Sequence, residues 1–358
     1  MDVCSGAIHV VDDVTYDVIA LYEEKNLEEI KKELSDTYNK EEIEEAYKEV
    51  TSLKEEGLLF TEDIYEEYIN EVKSRKTVVK ALCLHIAHDC NLACRYCFAE
   101  EGEYKGHREL MSAKVGKAAL DFLVKNSGNR HNLEVDFFGG EPTMNFDVVK
   151  EVVEYGRSLE KDYDKHFRFT FTTNGVLLND EMMEFANKEM DNVVLSVDGR
   201  KEVHDYMRPT RNGKPSYDLI MPKFIRFAES RHQQKYYVRG TFTNRNLDFS
   251  KDVLHLADLG FEQISMEPVV GQPEEPYAIQ EKDLPQIFDE YDRLAKEMIK
   301  REKAGKGFNF FHFMIDLTGG PCVAKRLSGC GSGTEYLAVM GRFISLSPVC
   351  RRREIPSW

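Results

Sequence analysis

The sequence predicts an α/β protein whose larger part is a parallel sheet with helices outside, curved into a partial or complete (βα)6 TIM-like barrel. Three observations carry this expectation. From Val79 onward, six short apolar runs alternate with helical patterns; polar residues gather where those runs end; and a set of three smaller helices precedes the repeat. With 358 residues, the chain exceeds what one small core needs, so roughly two or three units are expected.

The amino-terminal unit, residues 1–60, begins with apolar Ile8, Val10 and Val11. Asp12 and Asp13 lead into a helix ending near Lys25, and Asn26 precedes Leu27, Ile30 and Leu34 at helical spacing. A third helix is expected from about Lys40 to Glu56, with Gly57 as its stop and Leu58 to Phe60 opening a wing. Three helices and a wing make a winged helix, a fold that usually suggests DNA. The acidic faces here (Glu28, Glu29, Glu33, Glu41, Glu42, Glu44, Glu45) disfavour that partner, and a packing or dimerisation module is the plain alternative.

A polar helix over residues 61–78 links this unit to the barrel, residues 79–304. Strands are expected at Leu82–His88, Glu134–Gly140, Phe167–Thr173, Asn192–Gly199, Lys235–Thr243 and Gln263–Val270. Helices are expected over 112–126, 146–160, 179–188, 217–231, 250–259 and 282–303. Asp89, Cys90, Glu141, Thr173, Asn174, Ser196, Asp198, Arg239 and Glu267 fall at the C-terminal strand ends, the face where βα barrels carry chemistry.

Acidic residues outnumber basic ones 64 to 48, a formal charge of −16, which argues against nucleic acid as a partner. There is no long uncharged apolar stretch and no basic start followed by an apolar run, so no membrane partner and a cytoplasmic location are expected. In a reducing compartment, clustered cysteines ligate metal more often than they form disulfides.

Three of the eight cysteines cluster in the segment HDCNLACRYCFAEE, as Cys90, Cys94 and Cys97. CxxxCxxC on a loop can wrap one face of a cuboidal iron–sulfur cluster and leave one iron open. A zinc site completed by His88 or His85 is the competing assignment. Gly139-Gly140-Glu141-Pro142 closes the second strand; taken alone it could be a tight turn ahead of a helix.

Together, CxxxCxxC with Tyr96 before its last cysteine and the GGEP turn resemble the radical S-adenosylmethionine (SAM) family. The resemblance implies a 4Fe-4S cluster on Cys90, Cys94 and Cys97, and SAM held by the backbone and glutamate of Gly139, Gly140, Glu141 and Pro142. Ser196 and Arg208 resemble residues that contact SAM's ribose and carboxylate in peptide-modifying relatives; a barrel-filling serine and a surface salt-bridging arginine are the alternatives. AIHVVDDVTYDVI, the cysteine core and FHFMIDLTGGPCVAKRLSGCGSGTEYLAV together resemble SCIFF maturases, SPASM-type enzymes, over residues 4 to about 339. That likeness implies an amino-terminal element that grips a leader peptide as an added strand. It also implies cleavage of SAM to a 5'-deoxyadenosyl radical, a thioether in a small Cys-rich ribosomal peptide, and an electron donor such as flavodoxin or ferredoxin. A sulfatase-maturase-like enzyme, or an inactive peptide-binding remnant, is the alternative.

Residues 305–358 depart from the family. Cys322 and Cys330 are the candidate ligands of an auxiliary 4Fe-4S cluster, or else buried thiols; the family's later cysteines do not follow, and Cys350 has no partner at a family spacing. Cys4 and Cys83 read as packed hydrophobes. From about residue 340 the tail GRFISLSPVCRRREIPSW carries no strand or cluster pattern. A back-translation read one base on gives DLYPCHQFVGEGKFLL, restoring a Gly-x4-Cys run, so a shift of frame near Met340 is expected. An opening strand is expected to be missing before Met1, which weakens the expected wing.

Overall fold

The computed structural model describes residues 1–63, 78–100, 102–104 and 107–315, together with two strands at 335–339 and 342–345. Contacts divide the chain into two units, one built on the amino-terminal residues and one on the βα repeat.

The first unit contains α1 (Asp13–Leu21), α2 (Leu27–Leu34) and α3 (Lys40–Glu55). Each starts on a polar cap: Asp12 accepts from Thr15 N, and Asn26 and Asn39 form reciprocal capping boxes with Glu29 and Glu42. Val18, Ile30, Ile43, Ala46 and Val50 are buried together with Leu59. The Asp2 carboxylate accepts from Thr61 N at 3.1 Å and from Ser5 N at 2.7 Å, closing this unit end to end.

The expected wing is not seen. Among the described residues of this unit there is no strand, and Ile8 and Val10 are exposed. The two segments meet through one side chain instead: His9 Nε2 lies 3.0 Å from the carbonyl of Leu58. A two-stranded ribbon without a third strand or a covering helix is marginal, and the apolar pattern at 8–11 cannot supply that cover by itself. Residues 64–77, most of the expected linker helix, lie outside the described residues.

In the second unit, β1 (Ala81–His88), β3 (Asn132–Gly139), β4 (His166–Thr173), β5 (Met190–Ser196), β6 (Tyr236–Phe242) and β7 (Gln263–Pro268) pair in parallel in that order. β2 (Glu109–Leu110) pairs antiparallel with β1, and β8 (Asn309–Phe310) adds in parallel to β7. The connecting helices are α4 (Ala113–Asn126), α5 (Phe146–Tyr163), α6 (Asp180–Glu189), α7 (Lys201–Met207), α8 (Tyr217–Ser230), α9 (Ser250–Asp258) and α10 (Leu284–Lys303). This is the expected α/β sheet of six successive βα steps, and its ladder is an open path from one edge to the other.

Alternation along the strands explains the layering. Leu82, Leu84 and Ile86, then Val135 and Phe137, then Phe167, Phe169 and Phe171, are buried in one core with helix residues such as Leu120, Leu123, Val149 and Val152. The intervening positions point to the opposite face, and there Thr172, Ser196, Arg239, Thr241 and Glu267 line a cavity. The inner face is therefore polar, and the apolar burial that holds the sheet comes from its helix side, at roughly 1.5–3 kcal/mol for each buried large side chain.

The tail is a correction. Glu335–Val339 (β9) pairs in parallel with β1, and Arg342–Ser345 (β10) runs antiparallel beside β9, with Arg342 opposite Val339. The segment read as lacking strand pattern thus contributes one. The outer edge of β9 offers backbone groups to a further strand, and a short run such as Arg342–Ser345 needs little more than such an edge to pair.

Candidate functional site

The cysteine loop leaves β1 at Asp89 and is fastened from outside by the segment after α7. Ala93 N donates to Pro209 O at 2.8 Å, Arg95 N to Met207 O at 2.9 Å, and Leu92 pairs with Thr210 as a bridge. Arg95 Nε also donates to Tyr206 O at 2.7 Å, and its guanidinium stacks on the Tyr206 ring at 4.4 Å. This clamp of backbone bonds fixes a loop with no regular structure of its own. Nothing in the sequence foretold it, because bonds to carbonyls leave no residue pattern.

Inside the loop, Cys90, Cys94 and Cys97 all line one cavity of about 380 Å³ at the C-terminal strand ends. Cys90 Sγ accepts from Leu92 N at 3.4 Å and lies 3.6 Å from Asn174 Nδ2. Burial pushes the Cys90 and Cys94 thiols up to about 12. A thiolate at either position needs a cation beside it, which a bound iron would supply.

The GGEP turn forms the neighbouring wall. Gly140 N donates to Ala87 O and Glu141 N to Asp89 O, both at 2.8 Å, so the turn is laced to the end of β1. Gly139 has φ +122°, and a Cβ there would meet Ala87 O at 2.4 Å; at Gly140 it would meet Asp89 O at 2.1 Å. Only glycines allow this approach. Glu141, 1% exposed, accepts from Thr143 N at 3.0 Å, Thr173 Oγ1 at 2.7 Å and Asn174 N at 2.7 Å. Burial still raises its carboxyl above the ordinary carboxylate range. Oε1 takes the threonine donors, whereas Oε2 has only Asn174 N and keeps acceptor capacity toward the cavity. Pro142 opens the 3-10 turn Pro142–Asn145.

Arg208 is not a surface salt-bridging residue. Its Nε donates to Asp198 Oδ1 at 2.9 Å, and Asp198 is fully buried. The same carboxylate accepts from the Tyr96 hydroxyl at 2.7–2.8 Å and from Thr241 N at 3.0 Å. Tyr96 thereby ties the middle of the cysteine motif to β5 and β6, while Arg208 lines the cavity with its guanidinium beside Cys94. Ser196 is half-buried on the same cavity. Asn174 Nδ2 donates to Asn91 Oδ1 at 2.7 Å, a link from β4 to the cysteine loop that no motif announces.

His85 and His88 do not complete a zinc site. Their rings meet each other, Nδ1 to Nε2 at 3.2 Å, and pack on Tyr104 at 4.5 and 4.8 Å between centroids. Burial drives His85 down to about 4. Among the described residues no three His, Cys, Asp or Glu side chains converge on a single-ion position. Three thiols spread around a cavity, with a glycine cradle beside them, fit a cuboidal cluster and a small cosubstrate better than one tetrahedral ion. Cys4 and Cys83 are half-buried; Cys322, Cys330 and Cys350 lie outside the described residues.

The model of the Radical SAM superfamily matches residues 84–230, which hold the cysteine loop, the GGEP turn and Arg208. An uncharacterized protein of Methanocaldococcus jannaschii is 30% identical over 224 residues, covering 62% of this chain and 71% of that protein. The chain belongs to the radical SAM superfamily. That superfamily works with a 4Fe-4S cluster and SAM. The cysteine-type anaerobic sulfatase-maturating enzyme of Clostridium novyi is 29% identical to this radical SAM chain over 216 residues, 56% of each. The solved structure of native anSMEcpe with bound AdoMet superimposes with a TM-score of 0.64 at 18% identity, over 78% of this chain and 77% of that one. Streptococcus suis SuiB bound to the precursor peptide SuiA gives 0.56 at 15%, over 97% and 80%. These two likenesses are of fold. In the described residues, no helix of this radical SAM protein is long and apolar enough to cross a membrane.

Proposed function

We propose that this protein is a radical SAM peptide maturase of the SCIFF type, forming a Cys thioether in a small Cys-rich ribosomal peptide. The observation that carries the reading is one cavity shared by three cysteines, the GGEP turn and an arginine paired with a buried aspartate. When bound, the cluster and SAM supply a 5'-deoxyadenosyl radical able to take a hydrogen atom from a peptide carbon. The chain's own residues hold and orient. Cys90, Cys94 and Cys97 ligate the cluster, Glu141 and the Gly139-Gly140 backbone take SAM's amino group, Arg208 its carboxylate and Ser196 its ribose. Phe138 and Val269 supply the apolar part of the cavity wall beside the reacting carbon.

Peptide as the substrate class is supported by the sequence likeness over residues 4 to about 339 and by the fold shared with SuiB, which binds its precursor peptide. The unit over 1–60 is proposed to grip the leader, Cys322 and Cys330 to serve an auxiliary cluster, and flavodoxin or ferredoxin to donate electrons in the cytoplasm. A second reading, oxidation of a Cys or Ser in a sulfatase, is favoured by the similarity to the Clostridium novyi enzyme.

Anaerobic reconstitution with iron and sulfide tests the core. At least four irons per chain with 5'-deoxyadenosine release are expected; Cys90→Ala/Cys94→Ala/Cys97→Ala should lose about four of those irons and all of the release. A Cys-rich peptide should lose two mass units on thioether formation, whereas conversion of a sulfatase peptide alone would favour the second reading. A chain that takes up no iron yet binds peptide would reduce the protein to a binder.

A further inference from the structure

Across the cavity from the cysteine loop, Glu267 near the end of β7 carries a chain of groups that the cofactor reading does not use. Its Oε1 accepts from Ser265 Oγ at 2.7 Å, and its Oε2 lies 2.9 Å from His312 Nε2. Nδ1 of the same ring lies 2.7 Å from the Tyr291 hydroxyl. His312 stands in the 3-10 turn Phe311–Phe313 just after β8, and Tyr291 on α10. The consistent arrangement has Tyr291 O–H donating to Nδ1 and Nε2–H donating to the carboxylate. Arg239 and Tyr237 from β6 also face Glu267, and with Ser265, His312 and Tyr291 they make up its charged and hydrogen-bonding surroundings among the described residues.

A tie between β7 and the turn would need one such bond. Here the carboxylate is 34% exposed on the cavity side, and behind it an imidazole and a phenol continue the chain to the partly exposed edge of His312. Both donors of this series point toward Glu267, so imidazole and phenol together fix the carboxylate as an acceptor facing the cavity.

We propose that Glu267 is the proton acceptor for the peptide substrate, with His312 and Tyr291 as positioning residues that hold its carboxylate in place. The role rests on the peptide-maturase reading. Joining a substrate X–H (X sulfur or oxygen) to a C–H carbon forms one X–C bond and breaks two bonds to hydrogen. The carbon's hydrogen leaves as an atom to the radical; the X–H proton goes to Glu267; the remaining electron passes to a one-electron acceptor of the iron–sulfur class.

The test uses reconstituted holoenzyme and a synthetic Cys-rich peptide. In Glu267→Gln, peptide affinity by fluorescence anisotropy and peptide-stimulated 5'-deoxyadenosine release should stay within about threefold of the parent, while cross-linked product falls about 100-fold. Glu267→Asp should recover part of that loss. His312→Ala, which no longer donates to Glu267, should fall about tenfold and move the acid limb of the pH–rate profile upward, and His312→Gln, which still donates, should recover part of that loss. Product within a factor of two of the parent in Glu267→Gln would overturn the proposal. So would equal loss of peptide binding, deoxyadenosine and product, the mark of a purely structural tie. If the parent itself releases no deoxyadenosine, the peptide-maturase reading fails first and this role with it.

Discussion

Arg208 and Asp198 form an ion pair at 2.9 Å at the edge of the cavity, with the carboxylate fully buried and the guanidinium lying 5.4 Å from the Tyr96 ring. The pair joins the residue expected to meet SAM to the tyrosine inside the cysteine motif, because Tyr96 donates to the same carboxylate. Removing one partner leaves the other charge buried. Asp198→Asn is therefore expected to cost the apoprotein about 3–5 kcal/mol in urea denaturation, and Asp198→Asn/Arg208→Met to regain a good part of it. Single variants that both cost under about 1 kcal/mol would mean that solvent already compensates the pair.

Glu141 binds protein donors through Oε1 more than through Oε2, so its second oxygen is the one placed to meet an ammonium. Glu141→Gln removes the charge and sets an amide among groups that donate. SAM affinity of the reconstituted protein, by equilibrium dialysis, should weaken about 10–100-fold, or roughly 1.4–2.8 kcal/mol. An unchanged affinity would show that the glutamate only braces the turn.

At Gly139 and Gly140 the expected effect is steric. A methyl at either site must displace the carbonyl of Ala87 or Asp89, and Asp89 leads directly into Cys90. Gly140→Ala should lower thermal stability by several degrees and halve iron retained after reconstitution and gel filtration. Normal iron content in a destabilised variant would separate the turn from the cluster site.

Much of this site was legible because its chemistry sits in short motifs at strand ends. Cys90, Cys94, Cys97 and Glu141 announce themselves by spacing, and period-two burial at Phe167, Phe169 and Phe171 gives β4 away. What escaped is what depends on distant partners. Arg208 could not be told from a surface arginine until Asp198 was found beside it, and His312, though inside a run that carries the family resemblance, is given no role by it. The wing is not seen for the converse reason: Ile8 and Val10 are strand-like but have no partner strand among the described residues, and propensity alone does not form a ladder. At β10 a partner was present, and a segment of weak pattern became a strand.

His204 and Asp136 should give stability opposite slopes between about pH 4 and 7. His204 is fully buried: its Nδ1 accepts from Asp198 N at 3.3 Å, and its Nε2 meets Ser216 Oγ at 3.0 Å, whose proton goes to Arg208 O. The ring is satisfied when neutral, and burial pushes it down to about 4, so its contribution is whole above the unfolded value near 6.5 and fades as pH falls toward 4. Asp136 faces away from the helices on β3, its Oδ1 is buried without a partner, and burial pushes its carboxyl up to about 7. The folded state there holds the proton more tightly, so stability from this group is whole below about pH 4 and declines as pH rises through 7. Urea denaturation of the apoprotein should accordingly find Asp136→Asn more stable than the parent at pH 8, by roughly 1–3 kcal/mol, and no different at pH 4. A constant offset across that range would mean that Asp136 is already ionised in the folded chain, and that a bound donor satisfies it.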